Sequence, residues 1–350
     1  MKEERLHRAL EALLRAGLWE CPAWEEGIFP LESSEWEALY GLATRQTVLG
    51  VVWEGIRRLP SGWGPPRPLM ARWLLATERL AEVHRRMEAR MQELQNKWNQ
   101  NGWTAVLLKG HRVASMYPKP ERRTCGDIDW YFPYPEEGKK AAGWVESKGN
   151  ILETDSDGDI HYTWIDTVVE HHQRWEHLSS PSGMRCLRQL EAEEGYVSWK
   201  GGQVLAPLSD LVMLNTHILK HALGLGVGLR QLCDMAMAYR FYQGSYDTTK
   251  LKKLIQRLGL KKWTDLLHSV LVEVIGLPES CLPFPLEKRK DTHALMKQVW
   301  EGGNFGMHRD EQENYQQKGR WAKIRYWATG ILPTMSLFVQ YAPKECFWRP

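Results

Sequence analysis

Two aspartates separated by one residue give the sequence its sharpest chemical signal. Asp127 and Asp129 follow Gly126, and the alternating pattern of residues 127–132 predicts a strand. Residues i and i+2 of a strand point to the same face, so the two carboxylates would stand side by side. Such a pair repels itself unless a cation lies between its members, and carboxylate oxygens are ligands that suit Mg²⁺. A solvated strand end is the alternative interpretation.

A polar segment further along the chain can supply a third carboxylate. Residues 165–172 read IDTVVEHH. An unbroken strand there would place Asp166, Glu170 and His172 on one face. Either acidic residue could then complete a site of three carboxylates with the aspartate pair. The alternative is an edge strand whose polar residues face solvent.

A Lys-Gly pair closes an apolar segment that precedes the aspartates. Residues 104–108 (TAVLL) predict a short buried strand, and Lys109 and Gly110 follow it directly. A strand that turns through glycine into a helix offers backbone N–H groups to an anion. Lys109 adds a positive charge that suits phosphate. The Lys-Gly pair is common at strand ends, so it indicates a phosphate site only together with the carboxylates.

A later helical block carries histidines and an arginine. His217 and His221 would share a helix face, but no glutamate follows His217, so the HExxH zinc motif is absent. These two histidines either help to bind substrate or form a core pair whose ring nitrogens are hydrogen-bonded. Arg230 either pairs with Asp234 one helical turn later or faces a phosphate or acceptor. The glycine-rich turn at 224–228 allows a close backbone approach before a helix start, which favours anions.

Together these segments resemble the uncharacterised nucleotidyltransferase family of the polymerase-beta-like superfamily. The likeness rests on LLKG, YPKPERRTCGDIDWY and VVEHH, then on the helical GLRQ..D block and on GNFG at 303–306, and it spans about residues 30–345. The superfamily's usual Gly-Ser after the first strand is Lys109-Gly110 here, which this family shares. The matching positions of the first three segments are Leu108, Lys109, Gly110, Tyr117, Pro118, Pro120, Arg123, Gly126, Asp127, Asp129, Glu170 and His172.

The resemblance implies an enzyme that uses two metal ions. Asp127 and Asp129 would hold Mg²⁺ or Mn²⁺, with Glu170 as a third ligand or as the base toward an acceptor hydroxyl. Two metal ions stabilise the attacking and leaving oxygens of an in-line displacement. An NTP would lose pyrophosphate, and its NMP would pass to an acceptor. That acceptor could be a small molecule, a sugar, an RNA or a protein.

The resemblance also implies which residues bind the substrates. Lys109, the Gly110 backbone and Arg123 would neutralise the phosphates. The remaining expected substrate-binding residues are His172, His221 and Arg230. Two other functions stay open on the same fold: a non-catalytic module that binds nucleotide or RNA, and a toxin-like nucleotidyltransferase that modifies RNA or protein.

The elements that must position these residues indicate an α+β fold. The first hundred residues show helical patterns, and a small mixed sheet follows. We expect an N-terminal helical region (1–101), a nucleotidyltransferase α/β core (102–206) and a C-terminal helical domain (207–350). The predicted strands are 104–108, 127–132, 151–154, 160–170, 187–190, 196–199 and 203–205. The predicted C-terminal helices are 207–223, 228–242, 247–258, 261–275, 286–300 and 318–341.

Composition excludes several other classes of protein. The 350 residues are 25% charged and 43% hydrophobic, as in ordinary globular chains. A net charge of +3 is too weak to argue by itself for nucleic acid or an anionic membrane. Six scattered cysteines without a CxxC pair argue against a zinc ribbon and fit a reducing, cytoplasmic compartment. The uncharged stretch 326–343 is only mildly apolar, so we expect a packed helix and no integral membrane segment.

Overall fold

The computed structural model describes residues 2–22, 27–224, 226–289, 291–303 and 338–348. Three sequence predictions lie wholly or largely outside these ranges. They are the GNFG segment beyond Gly303, most of the predicted helix 318–341, and most of the uncharged stretch 326–343. In the described part of the chain, no helix combines the length and the apolar character needed to cross a membrane.

Four helices precede the sheet, as the apolar periodicity predicts. In α1, Leu10, Leu13 and Leu14 are fully buried on one stripe. The long helix α4 buries Trp73, Met87 and other apolar side chains along its length. The four bounds are α1 (Lys2–Trp19), α2 (Ser33–Arg45), α3 (Leu49–Ile56) and α4 (Arg67–Gln100).

A seven-stranded mixed sheet forms the centre of the chain. Its spatial order is β3-β4-β5-β2-β1-β7-β6. Strand β2 pairs antiparallel with β1 and parallel with β5, so it lies in the middle of the sheet. The strands are β1 (Val106–Leu108), β2 (Asp127–Tyr131), β3 (Glu153–Thr154), β4 (Ile160–Trp164), β5 (Thr167–His172), β6 (Tyr196–Trp199) and β7 (Gly202–Leu205). Helices α5 (Gly110–Ala114), α6 (Pro135–Glu146) and α7 (Pro181–Glu194) connect them.

Both faces of the sheet are covered, and side-chain alternation divides them. Leu107 of β1 and Ile128 and Trp130 of β2 join a smaller core beneath α4 and α6. Leu108 and Tyr131 point the other way and join the main core with the C-terminal helices. Since Asp129 alternates with Ile128 and Trp130, it shares the face of Tyr131. The aspartate pair therefore faces the C-terminal helices.

Two predicted strands are wrong in their extent or their type. The segment 160–170 is two strands, because a turn at Ile165 and Asp166 separates β4 from β5, and Ile165 adopts a positive φ of 61°. Asp166 therefore does not belong to the strand that carries Glu170. The segment 187–190 lies inside α7, where Leu187 and Leu190 are buried on a helical face. A short apolar run does not distinguish a strand from a buried helical turn.

In the described part of the chain, six further α-helices follow the sheet. The first four match the helices predicted between Pro207 and 275, and the fourth continues into a π-helical turn at Leu271–Ile275. The predicted helix 286–300 begins only at Thr292, and the helix at Pro343–Trp348 was not predicted. Their bounds are α8 (Pro207–Leu223), α9 (Leu229–Phe241), α10 (Thr248–Leu258), α11 (Lys261–Val270), α12 (Thr292–Gly302) and α13 (Pro343–Trp348). A mixed sheet between helical regions confirms the predicted α+β class. The division into three domains stays a prediction, as does the cytoplasmic location; none of the six cysteines, all within the described residues, forms a disulfide bond.

Candidate active site

The parallel pairing of β2 with β5 places the acidic residues together. The register sets Asp129 opposite Glu170 and Tyr131 opposite His172. Residues opposite each other on parallel strands share a face, so Asp129, Glu170 and His172 all point toward α8 and α9. One ligand atom of each lies within 4.8 Å of the others. The residue pattern alone left Asp166 and Glu170 open as the third carboxylate, and the family resemblance implied Glu170, which is the one that lies here.

Asp166 lies elsewhere. Its carboxylate accepts hydrogen bonds from Arg86 at 3.1 Å and from Arg90 at 3.4 Å, both on the exposed side of α4. The β4–β5 turn holds it there.

Two cationic side chains contact Asp129, which is only 2% exposed. Lys109 Nζ lies 3.1 Å from Asp129 Oδ1, and His172 Nε2 lies 2.8 Å from the same oxygen. Lys109 leaves β1 with a φ of 36°, a conformation that is uncommon for a residue with a side chain. Gly110 follows with a φ of 38° and begins α5. This tight turn directs the Lys109 ammonium to the carboxylates.

The β3–β4 hairpin completes the surroundings of His172 and Glu170. His172 Nδ1 lies 2.7 Å from Asp159 Oδ2, so the ring bridges Asp129 and Asp159. His161 Nδ1 lies 3.1 Å from Glu170 Oε1. The sequence pattern alone selected neither Asp159 nor His161 as a site residue. The cross-strand pairing of His161 with Glu170 was the signal, but it requires knowledge of the β4–β5 register.

The charges in the site shift the pKa values strongly. Repulsion from Asp129, with burial, raises the pKa of Asp127 to about 6. Burial also acts to raise the pKa of Asp129, but Lys109 and His172 outweigh it and hold that pKa well below its usual range. Burial acts to lower the pKa of His172, yet hydrogen bonds to Asp129 and Asp159 raise it to about 9. His172 is therefore an imidazolium at neutral pH.

The carboxylates line a cavity of about 310 Å³ between the sheet and helices α8 and α9. A second cavity of about 110 Å³ shares Lys109 and His172 with it and extends toward Trp175 and Glu176. The predicted site residues on the larger cavity are Lys109, Gly110, Arg123, Asp127, Asp129, Glu170, His172, His221 and Arg230. All nine thus surround one space. Lys220 and Asp159, which the sequence analysis did not select, line both cavities.

Arg123 lies on this cavity but is already paired with a carboxylate. Its Nε and Nη2 donate to the two oxygens of Asp234 at 2.9 and 2.7 Å, and both side chains are 7% exposed. Tyr117 donates a further hydrogen bond to Asp234 at 2.7 Å. Arg230 Nη1 donates to the Thr124 carbonyl at 3.0 Å. Both arginines thus anchor the loop that leads into β2.

The helical block contributes a histidine pair and a helix start. His221 Nε2 and His217 Nε2 lie 3.0 Å apart, beside the cavity. The start of α9 differs from the expected anion site, because its first amides are occupied. Leu229 N donates to Gln46 Oε1 at 2.9 Å, and Gly228 N donates to Gln231 Oε1 at 3.0 Å.

Comparison with known proteins gives one match. The model of a family described as uncharacterised nucleotidyltransferase matches residues 32–275, more than two thirds of the chain. The matched range contains every predicted site residue and all seven strands. A search of curated proteins and a search of solved structures found no match.

Proposed function

Because the chain belongs to the uncharacterised nucleotidyltransferase family, we propose that it moves an NMP from an NTP to a hydroxyl acceptor and releases pyrophosphate. One observation supports this reaction above others. Asp127 and Asp129 share a face of β2, and the β2–β5 register sets Glu170 beside Asp129. Three carboxylates at the edge of one cleft suit a divalent cation and the phosphates that it carries.

The residues present fit such a cation. Asp127 has its pKa raised to about 6 chiefly by the charge of Asp129, so the pair carries negative charge that its neighbours do not fully balance. Asp127, Asp129 and Glu170 would hold the ion, and oxygen ligands favour Mg²⁺ or Mn²⁺. When bound, the ion would neutralise phosphate charge and activate the acceptor oxygen.

The basic residues of the cleft would bind and orient the phosphates. Lys109 lies 3.1 Å from Asp129, so its ammonium is close enough to reach a phosphate oxygen beside that carboxylate. The Gly110 backbone and Arg230 line the same cavity. Fixed positive groups in a partly enclosed site stabilise the charge that develops on the leaving pyrophosphate. Arg123, held by Asp234, would act by fixing the loop before Asp127 as well as by its charge.

The acceptor would approach through the adjoining space. The two cavities share Lys109 and His172, so a nucleotide in the larger cavity and an acceptor in the smaller one would meet at these residues. We propose that Glu170 is either a third metal ligand or the base that takes the proton from the acceptor hydroxyl. His161, 3.1 Å from Glu170 Oε1, would hold that carboxylate in place.

Parallel incubations with α-labelled and γ-labelled NTPs test this function. Each of the four NTPs is added with Mg²⁺ and cell extract, with and without the protein and with and without a chelator. We expect the α label on an acceptor and the γ label only in pyrophosphate, both dependent on protein and metal. Transfer of the γ label would indicate a kinase instead. Metal-dependent thermal stabilisation by NTP without any transfer would favour the non-catalytic binding module.

A further inference from the structure

A second group of side chains that can ligate a metal lies near the segments that follow Lys109 and precede Asp127. His84 of α4, His111 of α5 and Cys125, which precedes β2, each offer a ligand atom within 4.8 Å of the others. His84 and His111 are 8% and 4% exposed, and Cys125 is half-buried. None of the three lines the cavity that holds Asp127 and Asp129.

The geometry points to a binding site for a soft or borderline divalent cation such as Zn²⁺, held by His84, His111 and Cys125. His84 Nδ1 lies 4.0 Å from Cys125 Sγ, a separation close to that of two ligands on one tetrahedral zinc ion. The centroids of the His84 and His111 rings lie 4.5 Å apart, and the rings are tilted by 35° to each other. One thiolate and two imidazoles favour zinc over magnesium, which prefers oxygen ligands.

The protonation states of the histidines suit this role. Burial lowers the pKa of His84, and burial together with the nearby His84 lowers the pKa of His111 to about 4. Both rings are therefore neutral at pH 7, as a metal ligand must be. His111 Nε2 contacts the His84 carbonyl at 3.2 Å, which holds the His111 ring beside His84.

Burial raises the pKa of the Cys125 thiol, so a metal ion has to displace its proton. On binding, the thiol proton of Cys125 is released to solvent and a metal–sulfur bond forms. Arg123 Nη1 donates to Cys125 Sγ at 3.3 Å, and such outer hydrogen bonds orient ligating groups. The charge of Arg123 is already balanced by Asp234. Three protein ligands leave a fourth position for water.

The position of the three ligands gives the site a structural consequence. His111 lies two residues after Lys109, and Cys125 lies two residues before Asp127. A bound cation would connect the segment after Lys109 and the segment before Asp127 to α4 through His84. This site is independent of the proposed reaction, since its ligands differ from those expected for Mg²⁺.

Cobalt substitution tests the proposal. Co²⁺ added to the metal-free protein should give the near-ultraviolet charge-transfer band of a thiolate ligand, and Zn²⁺ should remove it while excess Mg²⁺ should not. Cys125→Ser should abolish the band, and His84→Gln should weaken Co²⁺ binding by about tenfold or more. The matched control is Cys21→Ser, which alters another half-buried free cysteine.

A further variant separates this site from the carboxylate site. Asp129→Asn should keep the band, because the band arises from a thiolate ligand and Asp129 can offer a metal only oxygen atoms. Absence of the band in the wild-type protein would overturn the proposal, as would a band that persists unchanged in Cys125→Ser. If Cys125→Ser does not fold, His84→Gln alone decides: unaltered Co²⁺ affinity and band in that variant would also overturn it.

Discussion

Asp129 shows how one buried carboxylate organises the candidate site. It accepts contacts from Lys109 and His172, and its charge raises the pKa of Asp127. The lysine and the imidazolium are the positive charges that keep a 2% exposed carboxylate ionised. A phosphate-bearing substrate would draw Lys109 toward itself and leave the carboxylate oxygens to a metal ion. Under the proposed function, the same contacts would keep Asp129 charged and would make its oxygens available to a metal ion.

Arg230→Ala should weaken substrate binding, beyond any effect of losing its hydrogen bond to the loop before β2. Arg230 lines the cavity, and its Nη1 is held by the Thr124 carbonyl. Loss of a hydrogen bond from a charged group costs about 1.5–3 kcal/mol of binding free energy. Calorimetric titration with NTP and Mg²⁺ measures this loss, and the melting temperature reports on the fold.

The control for this variant is Arg86→Ala. Arg86 pairs with Asp166 on the exposed side of α4, and its side chain is half exposed. A surface pair contributes about 0–1 kcal/mol to stability and nothing to binding at a distant cleft. Equal NTP affinity in wild type and Arg230→Ala would leave Arg230 with a purely structural role.

At the scale of elements, much of the fold followed from local pattern. The strand around Asp127, the helix at 207–223 and the helix after Gly228 carry their own periodicity and their own Gly or Pro boundaries. The break at Ile165 and the helical state of 187–190 did not follow, because short apolar runs fit either structure. The predicted nearness of Glu170 to the aspartates came from the resemblance. Asp159 and His161 join the site only through strand register, which is a long-range property.

Two glycines allow helices α1 and α3 to pack closely against each other. A Cβ built on Gly55 of α3 would lie 1.9 Å from the Leu13 carbonyl oxygen of α1, and one on Gly17 of α1 would lie 2.1 Å from the Val51 oxygen. We therefore expect Gly55→Ala to separate α1 from α3 and to lower the free energy of unfolding by about 1–3 kcal/mol. Urea denaturation measures the change.

Gly41→Ala is the matched control for that variant. Gly41 lies in α2, and a Cβ there would meet no atom within 4 Å. Alanine is the better helix former by about 1 kcal/mol, so this substitution should be neutral or stabilising. If both variants unfold at the same urea concentration as the wild type, α1 and α3 do not pack as closely as described.

At the scale of the whole molecule, one large apolar core links the helices before and after the sheet. It includes Leu13 of α1, Leu108 of β1 and Leu267 of α11. The cleft lies where this core gives way to polar side chains between the sheet and α8 and α9. The opposite face of the sheet is sealed by the smaller core beneath α4 and α6. The carboxylates are thus backed by the sheet and face the cleft beside α8 and α9.

Acid should destabilise the whole fold through buried histidines. His268 of α11 is buried against Tyr239 of α9, and burial lowers its pKa to about 3. Between pH about 6.5 and about 3 the unfolded chain binds a proton that the folded chain excludes, so stability falls as pH falls through this window. Each such group contributes about 1.4 kcal/mol per pH unit. His268→Gln should reduce this slope, measured by urea denaturation at several pH values.

The control for this pH dependence is His293→Gln, since His293 of α12 is exposed. It should leave the slope at its wild-type value. A slope that is the same in wild type and His268→Gln would show that the His268 ring is not excluded from protonation.

The central claim is that the carboxylates on β2 and β5 form the catalytic centre. The most direct test of this claim measures the rate of pyrophosphate release with Mg²⁺, NTP and the acceptor that the labelling experiment identifies. The rate is compared among the wild type, Asp129→Asn and Asp166→Asn. The first variant removes a charge from the cleft, whereas the second removes one from the exposed turn. We expect Asp129→Asn to lose at least about a hundredfold in rate and Asp166→Asn to stay within about twofold. A folded Asp129→Asn protein that turns over at the wild-type rate would contradict the account.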